Sequence, residues 1–560
     1  MKRFSMVLVI ILTILLSGCT TNPQQPFTEY LDELMIEVID EKDIGINLSF
    51  VDAQKFGINP DLYELGFNTP KDYQESHELY KDIIKQLKSY KNLSGQEAVD
   101  RDVLVSYFES YLDDVKYYDF LEGGNLNYSR SMMTNLPTYL EVYQFRSEAD
   151  IKAYFHFIET LPTFFQKYLD LELDRQNRGL GYGQEIIDRI VNVLNDTISM
   201  SQTDEYFLLN NFDEKLEKLD FEVDKEALSN RHASLLKNEY TEAHVLLSEG
   251  LKKIEADFSK GLARYKNGKD FYEHQLKKNT GLDMSVKEIQ KMLKQEFQSL
   301  VFQIGNYSES DFDLLFEDDF YPDFDSGEHL LEFLSREMQN DFPKISNINY
   351  EVKQVDESMS EASSPAYYFT PHLDSGSKEK QYIFINGPHT PQLYSTYAHE
   401  GFPGHMYQFN YFLNLKMHPI RNLLTVGANA EGWANYAEMY ALKYIVDDSV
   451  VELSKINNRL NQIVTSLIDI GIHYEGWLLP DMVDYLIELG FANQTAALED
   501  FEDMYIYMVA NPAVYPMYYV SSIKIDHLRD EFEGSDYEFH EAFLNMGSSR
   551  FDVIEKYIKK

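Results

Sequence analysis

His399 and Glu400, with His405 six positions after the first histidine, are the residues whose types and spacing point most directly to a reaction. A hydrolytic zinc site needs about three protein ligands from His, Asp or Glu, plus an open position for a water whose pKa falls towards about 7. Two imidazoles supply ligands, and the intervening glutamate is placed to act as general base on that water. In the common H-E-x-x-H pattern the histidines are four apart and share a helical face. Six steps on a regular helix would turn the second imidazole about 120° away from the first. Pro403-Gly404 supplies the remedy, since proline breaks the hydrogen-bond ladder and glycine permits unusual backbone angles. The expectation is a bulge of two looped-out residues that returns His405 to the usual place of the second histidine.

A third ligand is expected in Glu431-Gly-Trp-Ala-Asn-Tyr-Ala-Glu438, with Glu431 the first choice. Glu438 lies seven residues further on the same helical face, where it could orient a ligating histidine from behind.

These residues require helices to hold them, and the sequence reads as mainly helical. Apolar positions recur at three- and four-residue spacing in 75–90, 99–118, 150–176 and 184–200. Ser94 is a candidate cap before the second stretch, and Asn177-Arg-Gly-Leu-Gly181 interrupts the pattern between the last two. From Lys215 to Tyr272 both charge signs recur at helical spacing, which predicts long solvent-facing helices. Ile348–Lys353, Ala366–Thr370 and Gln381–Asn386 alternate or are β-branched and aromatic, so a small sheet is expected directly before the metal-site helix. Asp374–Lys378 carries turn chemistry between two of these strands. Helices return from Thr390, with breaks at Pro480, Asn511-Pro512 and Gly534. The organisation read from this is a mainly helical region over 28–345 and a catalytic region over 346–560.

A net charge of −43 argues against nucleic acid as a partner, because a phosphate backbone attracts positive surfaces. At the N-terminus, Lys2 and Arg3 precede an apolar run from Met6 to Leu16, and Leu16-Ser-Gly-Cys19 follows. This pattern is that of an export signal over 1–19, too short for a membrane span. It resembles the lipobox of bacterial lipoproteins, which implies lipidation of Cys19 and an anchor in the bacterial membrane facing outside the cytoplasm. Cys19 is the single cysteine, so an intramolecular disulfide is excluded. Residues 20–27 read as a polar, proline-containing tether.

The motifs resemble those of the bacterial domain-of-unknown-function family 885, whose hallmarks look like H-E-x-x-P-G-H-x-x-Q and E-G-W-x-x-Y-x-E. The first is matched by His399 through Gln408, the second from Glu431, and a later D-x-G-I-H-x-x-G-W by Asp469 through Trp477. The resemblance implies a large helical body similar to helical zinc carboxypeptidases and oligopeptidases, with a small sheet beside the metal helix. It also implies one zinc per chain held by His399, His405 and Glu431, with Glu400 as general base and a peptide as substrate. His473 and Tyr518 are the candidate donors to the oxyanion, and Asp469, one turn before His473, is placed to fix that imidazole. The family's P-G-Q-x-x-x-Y is reduced here to Pro512 and Tyr518, with Ala513 and Val514 in place of the Gly and Gln. His540 is expected to be structural, and Arg550 stands where a proline is common. A substrate peptide is expected to add to a strand, either 366–370 or 381–386. The competing readings are a zinc hydrolase of a non-peptide amide and a non-catalytic surface binding lipoprotein.

Overall fold

The structure is a computed structural model that describes residues 25–60, 62–308, 311, 315, 320–355, 364–376, 379–446 and 448–558. The export signal, Cys19 and most of the tether lie outside the described residues. Helices dominate the rest, and their limits follow local chemistry. Helix α1 (Pro70–Ser89) begins with proline in its first turn, and Thr69 and Asp72 cap it reciprocally. Helix α2 (Gln96–Tyr111) starts differently from expectation: Gly95, at φ 57°, occupies the cap and no side chain caps the end. The thirty-residue α3 (Glu148–Asn177) is capped by Ser147 and buries Phe155, Phe157, Ile158, Leu161 and Phe165. Gly179, at φ 69°, follows its end, and α4 (Gln184–Ser201) runs next.

The stretch expected to hold long helices does so in part, since residues 225–251 run as one helix through a π-turn at Leu236–Tyr240, and is then broken. After helices over 207–217 and 225–235, α5 (Thr241–Leu251) packs against α3, and residues 254–261 carry no helix before α6 (Gly268–Thr280). Gly250 allows the close α3–α5 approach, since a Cβ there would stand 2.2 Å from Leu169. Charge periodicity alone hid this break. α7 (Val286–Ile304) and α8 (Gly327–Glu337) complete this half.

The sheet lies where the alternation placed it: β1 (Asn349–Gln354), β2 (Ala366–Phe369) and β3 (Lys380–Ile385), in the order β1-β3-β2. β1 runs parallel to β3 and β2 antiparallel to it, with Tyr368 opposite Ile383. Ile383 and Ile385 enter the main core, while Phe384, pointing the other way, packs with Val355. Beyond the sheet come α9 (Tyr394–Glu400), α10 (His405–Leu413), α11 (Gly427–Ala441) and α12 (Asp448–Ile470), then α13 (Glu502–Ala510), α14 (Val514–Glu531) and α15 (Asp536–Leu544).

One continuous hydrophobic cluster runs from Phe27 to Ile558, across the boundary at 345. Asn127 Nδ2 donates to the Ala510 carbonyl at 2.8 Å, and Ser106 Oγ to the Asp552 carboxylate. The first region thus packs around the second as a wall. Among the described residues no helix is long and apolar enough to cross a membrane.

Candidate metal centre

The helix that carries His399 and Glu400 stops at Glu400, and a new one starts at His405. Across the gap the Gly404 N–H bonds the Ala398 carbonyl at 3.0 Å, and the Tyr407 N–H bonds the Gly401 carbonyl at 3.1 Å. Each bond spans six residues rather than the four of a regular ladder, so the join takes in two extra residues, as the six-residue spacing demands. The Phe402–Pro403 peptide in this join is cis. Gly404 has no room for a side chain, because a Cβ would stand 1.8 Å from the His399 carbonyl oxygen. The result brings the two imidazoles together, with ring centroids 4.7 Å apart and planes at 86°. Trp433, fully buried on α11, donates its indole N–H to the Pro403 carbonyl at 2.9 Å and so ties the second motif to the first.

Helix α11 presents both expected glutamates to this pair. Glu431 Oε2 lies 3.6 Å from His399 Nε2 and 3.4 Å from His405 Nε2. It is buried and has no hydrogen-bond partner. Glu438 Oε2 stands 3.0 Å from His399 Nδ1, behind the ring, which leaves Nε2 facing inward. Burial disfavours a charged imidazole at His399, but Glu431, Glu438 and Glu400 overcome it and hold its pKa well above the ordinary value. The two imidazoles in turn hold the Glu431 carboxyl well below the usual range, against its own burial. Three carboxylates converging on two imidazoles make a site that favours a cation. Ligand atoms of His399, Glu400 and His405 also lie within 4.8 Å of one another.

That grouping makes Glu400 a rival to Glu431 as third ligand, and the hydrogen bonds separate them. Glu400 Oε2 accepts the Tyr368 N–H of β2 at 2.8 Å, whereas Glu431 Oε2 is unpaired between the two Nε2 atoms. With metal–ligand bonds of about 2.0–2.1 Å, the edge of a tetrahedron is about 3.4 Å, close to both Glu431 distances. The residues therefore fit a zinc-sized cation, and the spacing of Glu431 from the two imidazoles suits a carboxylate ligand.

β3 is paired on both sides, which removes 381–386 as a strand to which a peptide could add. β2 is an edge strand: the Pro365 carbonyl bonds Asn386 towards β3, while the Tyr368 N–H points the other way to Glu400. Tyr518, on α14, belongs to the same cleft. Burial and the neighbouring Glu431 carboxylate push its pKa above that of a free phenol. Its oxygen accepts a hydrogen bond from Arg130 Nη1 at 3.4 Å. Arg130 was not foreseen. Partial desolvation works against its charge, but Tyr518, Tyr507 and Glu431 raise its pKa nonetheless. Nothing in its local sequence, Asn127-Tyr-Ser-Arg130, singles it out.

His473 and Asp469 are held elsewhere. The His473 ring is fully buried, with Nε2 2.9 Å from the Met508 carbonyl and Nδ1 accepting the Leu262 N–H at 3.2 Å. Both nitrogens are thus spent on backbone, and burial pushes the pKa down to about 4. Asp469 does not hold that imidazole: its Oδ1 accepts from the Tyr272 hydroxyl at 2.6 Å and the Ala513 N–H at 3.2 Å. Burial pushes its pKa up to about 7. Tyr272 stacks on His473, so the pair forms a buried polar contact around one tyrosine. His540 is similarly enclosed, bonded to Tyr436 and to the Asp341 carbonyl. Ala513, standing where the family's glycine would be, adopts φ 60°. Arg550 donates to the carbonyls of Lys277 and Lys278 near the end of α6.

Fold and site together define a mainly helical protein with a small mixed sheet, carrying a two-histidine, three-carboxylate cluster of metal-binding type. The chain belongs to the bacterial protein family of unknown function DUF885, which matches residues 51–558. Among curated proteins none matches. Two solved structures share the fold. A protein of Colwellia psychrerythraea described as a candidate lipoprotein is 16% identical with a TM-score of 0.76, the match covering 95% of this chain and 98% of that one. Another from Shewanella oneidensis, described as a candidate lipoprotein of unknown function, is 15% identical with a TM-score of 0.60 over 96% and 99%.

Proposed function

We propose that this chain is a zinc metallopeptidase, exported and anchored to the bacterial membrane through a lipid on Cys19. The observation that carries the reading is the unpaired Glu431 Oε2 between His399 Nε2 and His405 Nε2, with Glu400 alongside. His399, His405 and Glu431 would hold the zinc. Bound there, it supplies a Lewis acid for the scissile carbonyl and a water of lowered pKa.

The chain's own residues do the rest. Glu438, on Nδ1 of His399, keeps the proton on that nitrogen and leaves Nε2 as the ligating atom. The Tyr368 N–H fixes Glu400 through Oε2, so Oε1 is the atom that takes the water's proton and later gives it to the leaving nitrogen. Tyr518, bonded to Arg130 and beside Glu431, is placed to turn its hydroxyl hydrogen to the oxyanion. β2 is an edge strand, and an extended peptide would lie along its outer side, past the Tyr368 N–H that Glu400 takes, which favours a peptide over other amides. Export and anchoring rest on the Lys2–Cys19 pattern, and the description of both similar structures as candidate lipoproteins agrees with it.

Elemental mass spectrometry on the mature chain, purified without added metal, tests the centre. About one zinc per chain is expected, lost in His405→Ala. Glu400→Gln should keep the zinc and lose about 10²–10⁴-fold in peptide turnover, since only proton transfer is removed. Wild-type rates in that variant would overturn the role of Glu400, and a chain that takes up no zinc would overturn the whole reading.

A further inference from the structure

A cavity of about 390 Å³ opens beside the metal centre, with His405 in its wall and Tyr368 and Thr370 of the β2 segment along one side. Most of its remaining surface is apolar, supplied by Phe409 and Phe412 from α10 and by Leu423, Leu424 and Val426 before α11. Two buried donors on its lining residues, Asn429 Nδ2 and Arg421 Nε, have no acceptor although each residue is only 1% exposed. The guanidinium charge is already matched, because Arg421 Nη1 bonds Asp100 at 2.6 Å. The cavity therefore combines an apolar wall with a neutralised guanidinium, directly next to a histidine of the centre.

We propose that this cavity selects the substrate by taking a large apolar side chain, aromatic or leucine-like, from an extended peptide laid along the outer edge of β2. The inference rests on the hydrolase reading above and names the substrate class for it. Continuity decides the occupant: a chain laid along the outer edge of β2 passes Glu400, which takes the Tyr368 N–H, and runs past Thr370, so a side chain next to the reacting bond points towards the space behind His405. An acidic side chain is disfavoured, since Asp100 has used the local positive charge and the protein carries −43 overall.

Two readouts test this on the zinc-loaded mature chain. Cleavage of a mixed peptide library should show a preference for Phe, Leu, Met or Tyr at one position flanking the cut. Calorimetric titration with the hydroxamates of phenylalanine, leucine, alanine and glutamate reads the cavity without turnover. The first two should bind about ten- to a hundred-fold tighter than the last two, the ratio expected from burying such a side chain. Val426→Trp should shift both preferences to small side chains with zinc content unchanged, and Phe409→Ala should widen them, which keeps the test alive if one variant fails to fold. Hydroxamates that bind without side-chain preference, or a preference that neither variant moves, would overturn the proposal. Selective hydroxamate binding without any peptide cleavage would support the cavity's role and sink the peptidase reading instead.

Discussion

Glu431 Oε2 sits 3.6 Å and 3.4 Å from two imidazole nitrogens, and the other residues of the cleft make sense around that atom. Glu438 stands behind His399, Tyr368 holds Glu400, and Arg130 donates to the Tyr518 oxygen. Tyr518→Phe keeps the ring and removes the hydroxyl, both as donor to the oxyanion and as acceptor for Arg130. It should lower kcat about 10²-fold with zinc content and KM little changed, as loss of a single oxyanion donor does. Steady-state kinetics on the best library peptide checks this, and an effect confined to KM would move Tyr518 from the reaction to substrate binding. His399, Glu400, His405, Glu431 and Glu438 were legible in the sequence because local spacing decides their positions. His473 was not: its partners Leu262 and Met508 are 211 and 35 residues away, so spacing could not reveal that both ring nitrogens are taken.

At the scale of elements, the α9–α10 join and the turn before α14 show two solutions to a broken helix. In the join, glycine stands where a Cβ cannot fit. In the turn, Ala513 takes a left-handed φ of 60° that glycine adopts freely, at a cost of about 1–2 kcal/mol for an L-residue. Ala513→Gly should therefore stabilise the chain, by about 0.5–1 kcal/mol once glycine's larger unfolded-state entropy is subtracted. Urea unfolding should show a higher midpoint with the slope unchanged. A lower midpoint would mean that the buried Ala513 methyl contributes more by packing than its backbone costs. The sequence marked this position as a departure from the family pattern, but the sign of φ needed the structure. Element limits were readable where caps or alternation were strong, as at 148–177 and in the three strands. They failed over 254–261, where charge periodicity continues through a non-helical segment.

The molecule as a whole shares one core, and Asp469 sits where three of its parts meet: α12, Tyr272 of α6 and the turn at Ala513. Its folded pKa of about 7 exceeds the unfolded value of about 3.9, so the native state holds this proton more tightly. Stability from this group is therefore full below about pH 4 and is lost as pH rises to about 7. Asp469→Asn keeps an acceptor for Tyr272 and removes the charge. Its unfolding midpoint relative to wild type should rise between pH 5 and pH 8, measured on metal-free protein at both values. An equal offset at the two pH values would show that the charge of Asp469 is not what the fold resists.

The bond from the Trp433 indole to the Pro403 carbonyl gives the centre a place in the order of synthesis. The loop between the two histidines is clamped by a helix that begins only at Gly427, so a chain still emerging, or clipped before that point, has the first motif but no clamp for it. Assembly of the centre is thereby coupled to the arrival of α11.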